Sequence, residues 1–372
     1  MSVFPYAFSS ATDWARAADE ISDGLMETGP AIGSIGLLYV TDQFADNFKS
    51  IAALLRQRTG LDTWVGTLGL GVIGGADAVF DRPGAAAMIL DIPSDACRII
   101  ERTPIPNRWS DELMQWVETV RPTSALVHAD PSTPNVADHI ETLAKRTSAF
   151  LIGGLTCSRT AQHQLTGDLG SGGVSGLMFS PDVALTVGLS QGCSPLGSSH
   201  EITGGEGNVV AKIDGRSALE VFKEDIGEML ARDLQRVAGY FHVAFPVSGS
   251  DDSADYMVRN LIAIDQEHGW LGVGTEVSQG DRIMFVRRDP ASTRADLDRM
   301  LKDVKKRLPG AARGAVYISC VARGPEMFGT ETAEAKHISD GLDGAPVIGF
   351  YAGGEISHDR LYGYTGVLLV FG

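Results

Sequence analysis

Short apolar runs alternate along this chain with amphipathic stretches, and three pieces recur in one order. The first is a short apolar strand, at residues 36–40 (GLLYV), 125–129 (ALVHA), 242–246 (HVAFP) and 315–319 (AVYIS). The second is a strand with a glycine near its start that runs into a loop: TWVGTLGLG from Thr63, AFLIGGLTC from Ala149, WLGVGTEVS from Trp270 and PVIGFYAGGE from Pro346. The third is an apolar strand after that loop: AAAMILDI, VSGLMFS, RIMFVRR and TGVLLVFG. Leu37 aligns with Ala125, Gly66 with Gly153 and Ala87 with Gly176 at nearly constant spacing. Recurrence of this kind is the mark of a repeat architecture.

Helical periodicity falls in matching places. Residues 42–58 carry Phe44, Phe48, Ile51, Leu54 and Leu55 at the spacing of an amphipathic helix. Its counterparts are expected at 135–145, 253–260 and 330–341. A further helix is expected before each copy, at 12–26, 110–120, 217–237 and 292–308. The last is capped by Ser292 or Thr293 and stopped by Pro309-Gly310. Strands one and two, joined by a helix, should lie parallel; strands two and three are expected to be antiparallel neighbours. The fold class that follows is α/β: two related domains, each a mixed sheet with flanking helices built from duplicated helix-strand-helix-strand-strand units. The expected domains are 1–210, with units at about 11–97 and 108–195, and 211–372, with units at about 214–288 and 292–372.

Charge narrows the function classes. With 31 basic against 47 acidic residues the net charge is −16, so the chain repels phosphate backbones and anionic lipid. Nucleic acid is not an expected partner. No run reaches the roughly 18–20 apolar residues that cross a bilayer, and the N-terminus lacks the basic and apolar regions of a secretory signal. Four scattered cysteines make no disulfide framework. A cytoplasmic protein without direct membrane insertion is expected.

Ligands of open α/β sheets gather at the carboxyl ends of parallel strands. Those ends are rich here in glycine and small polar residues, and Thr67, Gly154, Thr156, Cys157, Arg159, Cys320, Arg323, Gly354 and Glu355 are the candidate ligand-binding positions. Glycine admits a ligand close to backbone N–H groups, and threonine supplies oriented hydroxyls. Arg159 and Arg323 can clamp a carboxylate, and Glu355 can take an amine. The alternative is that the glycines serve turns while the charged groups pair with each other. Cys157 and Cys320 each lie near an arginine that lowers a thiol pKa, but no histidine stands by as a base, so no catalytic residue is assigned. His128, on an apolar strand, reads as a core histidine. Glu355 and His358 form an E-x-x-H pair without the helix bundle that di-iron chemistry needs. Gly69-x-Gly71-x-x-Gly74 has dinucleotide-binding spacing but opens no helix. Asp42, Asp130-Pro131 and Asp251-Asp252 read as loop and cap residues.

Several of these motifs resemble FIST proteins (F-box and intracellular signal transduction). SCVARG at 319–324, APVIGFYAGGEIS at 345–357 and LYGYTGVLLVFG at 361–372 resemble the C-terminal half of that family. AFLIGGLTCSR, GGVSGLMFSPDVALTVGLSQGCSPLG and TGGEGNVVAKIDGRSALEVF are similar to the end of its N-terminal half and the junction. The resemblance implies a sensory domain for small-ligand binding in signal transduction, here a stand-alone bacterial-type member that reports to a signalling protein partner in trans. It implies a ligand such as an amino acid or related polar metabolite, and no enzyme. One alternative it raises is a haem-dependent nitric oxide sensor, for which His163, His200 or His358 would supply the axial ligand. Another is an enzyme using a loop cysteine. No metal ion and no cofactor other than that haem is expected.

Overall fold

The computed structural model describes residues 2–27, 33, 35–105, 108–227, 234, 240–247 and 255–372. The chain begins with β1 (Tyr6–Ser9), α1 (Trp14–Met26) and β2 (Ile35–Thr41). A 3-10 helix (Asp42–Asn47) then runs into α2 (Phe48–Thr59), followed by β3 (Trp64–Gly69). The hairpin of β4 (Gly71–Gly74) and β5 (Asp77–Phe80) leads to β6 (Ala85–Leu90). Next come β7 (Cys97–Thr103), α3 (Asp111–Val120), β8 (Ser124–Ala129), α4 (Val136–Thr147) and β9 (Phe150–Leu155). A second hairpin, β10 (Gln164–Thr166) and β11 (Asp168–Gly170), precedes β12 (Val174–Phe179) and β13 (Leu185–Ser190). There follow β14 (Cys193–Pro195), β15 (His200–Glu206), β16 (Val209–Ile213), β17 (Arg216–Ser217) and α5 (Ala218–Ile226). Then come β18 (Phe241–Pro246), β19 (Tyr256–Asp265), β20 (Trp270–Val273), β21 (Arg282–Arg288) and α6 (Pro290–Arg307). The chain closes with β22 (Gly314–Cys320), α7 (Gly324–Phe328), α8 (Ala333–Gly341) and β23 (Val347–Ala352), then β24 (Glu355–Ser357), β25 (Arg360–Tyr362) and β26 (Gly366–Phe371).

Contacts divide the chain into two compact units, Met1–Ser190 with Leu297–Gly372, and Gln191–Asp296. These are not the contiguous halves 1–210 and 211–372. The reason is pairing: β26 hydrogen-bonds to β13 and β23 to β4, which ties the C-terminal strands to the N-terminal half.

The first unit is built from three sheets of one plan. Their orders are β1-β6-β2-β3-β10-β11, β7-β12-β8-β9-β24-β25 and β13-β26-β22-β23-β4-β5. In each, strands one and two are parallel, as expected from the helix that joins them. The third strand lies antiparallel to strand one, not beside strand two. What occupies the outer edge of strand two is a hairpin lent by another copy. The hairpin after β3 adds to β23, the one after β23 adds to β9, and the one after β9 adds to β3. Three copies thus exchange hairpins in a closed cycle, a pseudo-threefold arrangement.

Alternation along each strand explains the layering. Leu37, Tyr39, Leu126, Ile152, Val316, Ile318 and Phe350 point into one core shared by all three sheets. Leu38, Val40 and Leu68 point the other way, against α1 and α2. The same holds for α3 and α4 over the second sheet and for α6 and α8 over the third. Asp13 caps α1 by accepting from the Arg16 amide, and Gly60 ends α2 at φ 72°. The helix expected from Ser292 starts earlier, at Pro290, where Asp289 accepts from the Ser292 amide at 2.9 Å and takes over the capping role. Register also refines the repeat: Gly66 aligns with Gly153 and Ala87 with Gly176, but Leu37 aligns with Leu126 rather than Ala125.

The expected third copy is a different structure. β18, β19, β20 and β21 are antiparallel throughout, and with β15 and β16 they close on themselves through the β18–β21 pairing. Of the helix expected at 253–260, residues 253 and 254 lie outside the described residues, and Tyr256 to Asn260 instead form strand in β19 and pair with β18. Of the helix expected at 217–237, Ala218–Ile226 is present; residues 228–233 and 235–237 lie outside the described residues, as do Asp251 and Asp252. Leu219, Phe222 and Ile226 of α5 enter the core of this unit. Among the described residues the repeat therefore has three members, not four.

Candidate functional site

At the carboxyl ends of β3, β9 and β23 the three copies meet through a ring of backbone hydrogen bonds. The Cys157 amide donates to Leu68 O at 3.0 Å, Gly353 to Leu155 O at 3.3 Å and Leu70 to Tyr351 O at 3.3 Å. Donor and acceptor occupy equivalent positions each time, so the cycle of exchanged hairpins brings the three loops together. Gly353 is exposed and Cys157 partly so. A Cβ added at Gly353 meets nothing nearer than Cys157 Sγ at 3.7 Å. The ring is open at that point.

Most of the sequence candidates belong to this region. Thr67 and Thr156, both buried, share a hydroxyl hydrogen bond of 2.7 Å, and Thr67 donates on to His163 O. Gly154 pairs in register with Glu355, and Gly354 O accepts from the Leu155 amide at 2.8 Å. Glu355 is fully buried, with Oε2 accepting from the Thr365 amide and hydroxyl at 3.1 and 2.8 Å. Its Oε1 has no hydrogen-bond partner. The Cys320 thiol also donates a hydrogen bond to this carboxyl, which draws its pKa down. Burial pushes Glu355 up to about 8, against partial relief from Thr365, Arg323 and Cys320.

The sign of that shift makes a stability prediction. Folded Glu355 keeps its proton up to about pH 8, whereas an unfolded chain releases it near its ordinary 4.5. Its contribution to stability is therefore complete at low pH and is lost as pH rises through the folded value. Glu355→Gln should flatten the decline in urea midpoint between about pH 5 and about pH 8; an unchanged decline would show that this carboxyl is not the group responsible.

The two arginines are placed differently from a free anion clamp. Arg159 is half exposed, but its guanidinium already pairs with Asp81 and lies 3.5 Å from Asp42. Arg323 is buried with 1% of its side chain exposed, and its Nε donates to Glu334 at 2.8 Å. Tyr317 and Ser319 also donate to Glu334, and the Phe328 ring lies 5.4 Å from the Arg323 guanidinium. Both arginines have carboxylate partners within the protein: Asp81 and Asp42 for Arg159, and Glu334 for Arg323.

Asp42 is the residue that sequence reasoning undervalued. It begins the 3-10 helix without capping it by a side-chain bond. Oδ2 instead accepts from the Arg159 amide at 3.1 Å, and Oδ1 is buried without a partner. An aspartate follows strand one in the second copy too, and that regularity was the available signal. There, Asp130 accepts from Ser132 and the Gly172 amide in a closed loop.

Neither thiol is disposed to nucleophilic chemistry. Burial, then the Asp42 charge, push Cys157 up to about 11, with Arg159 opposing; burial also raises Cys320. At neutral pH Cys157 should react with iodoacetamide at least about a hundredfold more slowly than a free cysteine, accelerating as pH climbs toward 11. Rapid neutral labelling would contradict this placement.

The haem candidates do not converge. Both ring nitrogens of His200 are engaged, by Asp214 at 2.6 Å and Asp225 at 3.0 Å. His163 contacts Ser171, and His358 is exposed beside Asp359 at φ 58°. None of the three lines the cavity of about 620 Å³ or that of about 370 Å³. The residues do not fit an axial haem site. Glu355 and His358 are not a ligand pair either, since one is fully buried and the other exposed. Among the described residues no group of three His, Cys, Asp or Glu is arranged to hold a metal ion. No described helix is long and apolar enough to cross a membrane. His128 is buried and held near 3 by burial, with Nε2 3.2 Å from the Tyr39 hydroxyl and Nδ1 unpartnered. It is thus a core histidine satisfied on one side only. The 620 Å³ cavity is lined by Ile35, Thr63, Cys97 and Trp116, and so opens at the opposite ends of β2 and β3 from the ring.

Similarity to known proteins agrees with the motif pattern. The FIST N domain matches residues 34–216 and the FIST C domain residues 218–358. Uncharacterized protein Rv0628c of Mycobacterium tuberculosis (strain ATCC 25618 / H37Rv) is 33% identical over 195 residues, covering 49% of this chain and 50% of the relative. Uncharacterized protein Mb0898c of Mycobacterium bovis (strain ATCC BAA-935 / AF2122/97) is 32% identical over 196 residues, 49% of each. The chain spans about half the length of the curated relatives it matches. With both domain matches in tandem over most of its length, the chain belongs to the FIST family, whose domains are associated with sensing in signal transduction.

Proposed function

We propose that this chain is a sensory protein that receives a small polar metabolite, of amino-acid size, at the ring formed by the β3, β9 and β23 ends. Binding there changes how the loops present themselves to a signalling partner in trans. The observation that carries this reading is the cyclic backbone ring at Leu70, Cys157 and Gly353, open at Gly353 and backed by buried polar groups. Convergent loops at strand ends are where open sheets receive ligands. A cytoplasmic setting accords with four free cysteines and the acidic balance.

Gly353→Val tests the reading with little cost to the fold, because the first added carbon has ordinary van der Waals room there. In a thermal-shift screen of amino acids, organic acids and amines, a compound that stabilises the parent should leave Gly353→Val unshifted. Equal stabilisation of both proteins would place the ligand elsewhere, with the 620 Å³ cavity the next candidate.

A further inference from the structure

We infer that the free edge of β7 is a docking groove, where a signalling partner adds an extended, basic segment as one more strand. The inference goes beyond the ligand reading and does not depend on where the ligand binds.

Each copy begins with an edge strand followed by a helix: β1 and α1, β7 and α3, β13 and α6. Each edge strand pairs with the third strand of its own copy and ends its sheet. Such an edge is a template for another chain, and two of the three copies close the space beside it. In the first, α1 lies directly on β1: a Cβ added at Gly24 would sit 2.8 Å from the Ala7 Cβ. In the third, guanidiniums from α6 take edge carbonyls, Arg307 that of Val187 at 2.7 Å and Arg299 that of Leu189 at 3.1 Å. In the second, the helix α3 carries no basic residue, and the cavity of about 620 Å³ stands between helix and strand.

Cys97, Arg98 and Ile99 line that cavity in succession. Successive side chains point to opposite faces of a strand, so the cavity runs along the edge of β7 and not over one face. Main-chain groups are available there. The Ser180 amide donates to Ala96 O, and Phe179 O is taken from the far side by the Thr123 amide. The alternation of an antiparallel ladder then turns the Ile99 N–H and C=O away from β12. Neither group has a hydrogen-bond partner among the described residues. A donor and an acceptor so placed match the backbone of an extended chain, as in strand addition. Leu113 and Trp116 give the α3 wall apolar surface for its side chains.

Charge sets the sign of the partner. Glu101 and Glu112 line the same cavity, both exposed and without an ion-pair partner among the described residues. Arg98 is the single cation among the described residues of the lining, and exposed Asp111 and Glu118 on α3 add to the negative side. The segment that fits carries lysine or arginine between apolar residues.

The test uses the full chain and, as probe, a capped pentapeptide of alternating valine and lysine. Its controls are the same peptide with methylated backbone nitrogens, the same with glutamate for lysine, and N-acetyl-lysine amide. By fluorescence anisotropy the valine-lysine peptide should bind, and it should slow hydrogen exchange at the Ile99 amide. Methylation and glutamate should each weaken binding by at least about tenfold. Thr119→Arg, at an exposed position of the lining, puts into the groove the kind of group that closes the third copy, and should weaken binding as much. Ile99→Pro removes an outward N–H while sparing the ladder to β12, and should do the same. Absence of binding by the valine-lysine peptide, or equal binding by the methylated one, overturns strand addition. Equal binding by the glutamate peptide overturns the basic partner. N-acetyl-lysine amide binding as tightly as the peptide would make the cavity a small-molecule site and overturn docking. Peptide binding that survives both Thr119→Arg and Ile99→Pro occurs elsewhere, and the inference fails.

Discussion

Glu334→Ala is expected to lower the unfolding free energy by about 3–5 kcal/mol, the cost of leaving one partner of a buried ion pair alone. Glu334 gathers Arg323, Tyr317 and Ser319 at 2.7 to 2.9 Å, and both members of the ion pair have 1% of their side chains exposed. Removing the carboxylate strands a guanidinium and two hydroxyls in the core at once. Replacing both charges, in Arg323→Met with Glu334→Leu, should cost less than Glu334→Ala, because apolar groups of similar volume leave no uncompensated charge. Urea denaturation of the three proteins checks this. A loss under about 1 kcal/mol for Glu334→Ala would mean that the pair is solvated, as surface pairs are. The consequence for function is direct: loss of ligand response in an Arg323 variant would report unfolding, not lost recognition.

The second large effect is expected at Gly349. An added Cβ there would lie 1.7 Å from Tyr317 O, and the same substitution lies 1.7 Å from Leu38 O at Gly66 and 1.8 Å from Val127 O at Gly153. Backbone atoms of a central parallel pair cannot yield as the end of a flexible side chain does. Gly349→Ala should therefore cost at least about 3 kcal/mol, at or beyond the upper end of ordinary overpacking, with Gly66→Ala and Gly153→Ala comparable. Gly272→Ala, from the stretch that resembles a further copy, places its Cβ 3.0 Å from the Ala263 Cβ, a side-chain contact with some freedom to adjust. It should be much milder. Thermal melts of the four variants compare the positions directly; a Gly272 effect as large as the other three would restore the fourth copy.

Those glycines explain how far the fold was legible. A glycine near the start of strand two recurs because the neighbouring carbonyl leaves no room for a side chain, so the repeat could be read from local chemistry. The same pattern misled at Trp270, where a short apolar strand with a glycine belongs to an antiparallel closed sheet. Strand length and apolarity do not separate those two settings. The hairpin exchange was invisible for another reason. Residues 71–80 pair with each other whichever sheet they join, and their partner in β23 lies far along the chain.

The converging loops were legible in the sequence, but the partners of their charged groups were not. Glycines and threonines at strand ends marked Thr67, Gly154, Thr156, Cys157, Gly354 and Glu355, because backbone-close ligand contacts and tight strand ends ask for the same residues. Arginine after a strand reads as exposed, yet Arg323 is enclosed through Glu334 on α8 and Ser190 on β13, both distant in sequence. Asp42 was read as a cap because it opens a helix, and only three-dimensional packing reveals its unpartnered oxygen.

The central claim is that ligand meets the protein at the threefold ring of strand ends. Hydrogen exchange at the amides of Leu70, Cys157 and Gly353, followed with and without a stabilising ligand, tests it most directly. These three N–H groups close the ring, so ligand binding should slow their exchange together. Protection confined to residues 94–120 or to 191–296, with the three ring amides unchanged, would contradict it.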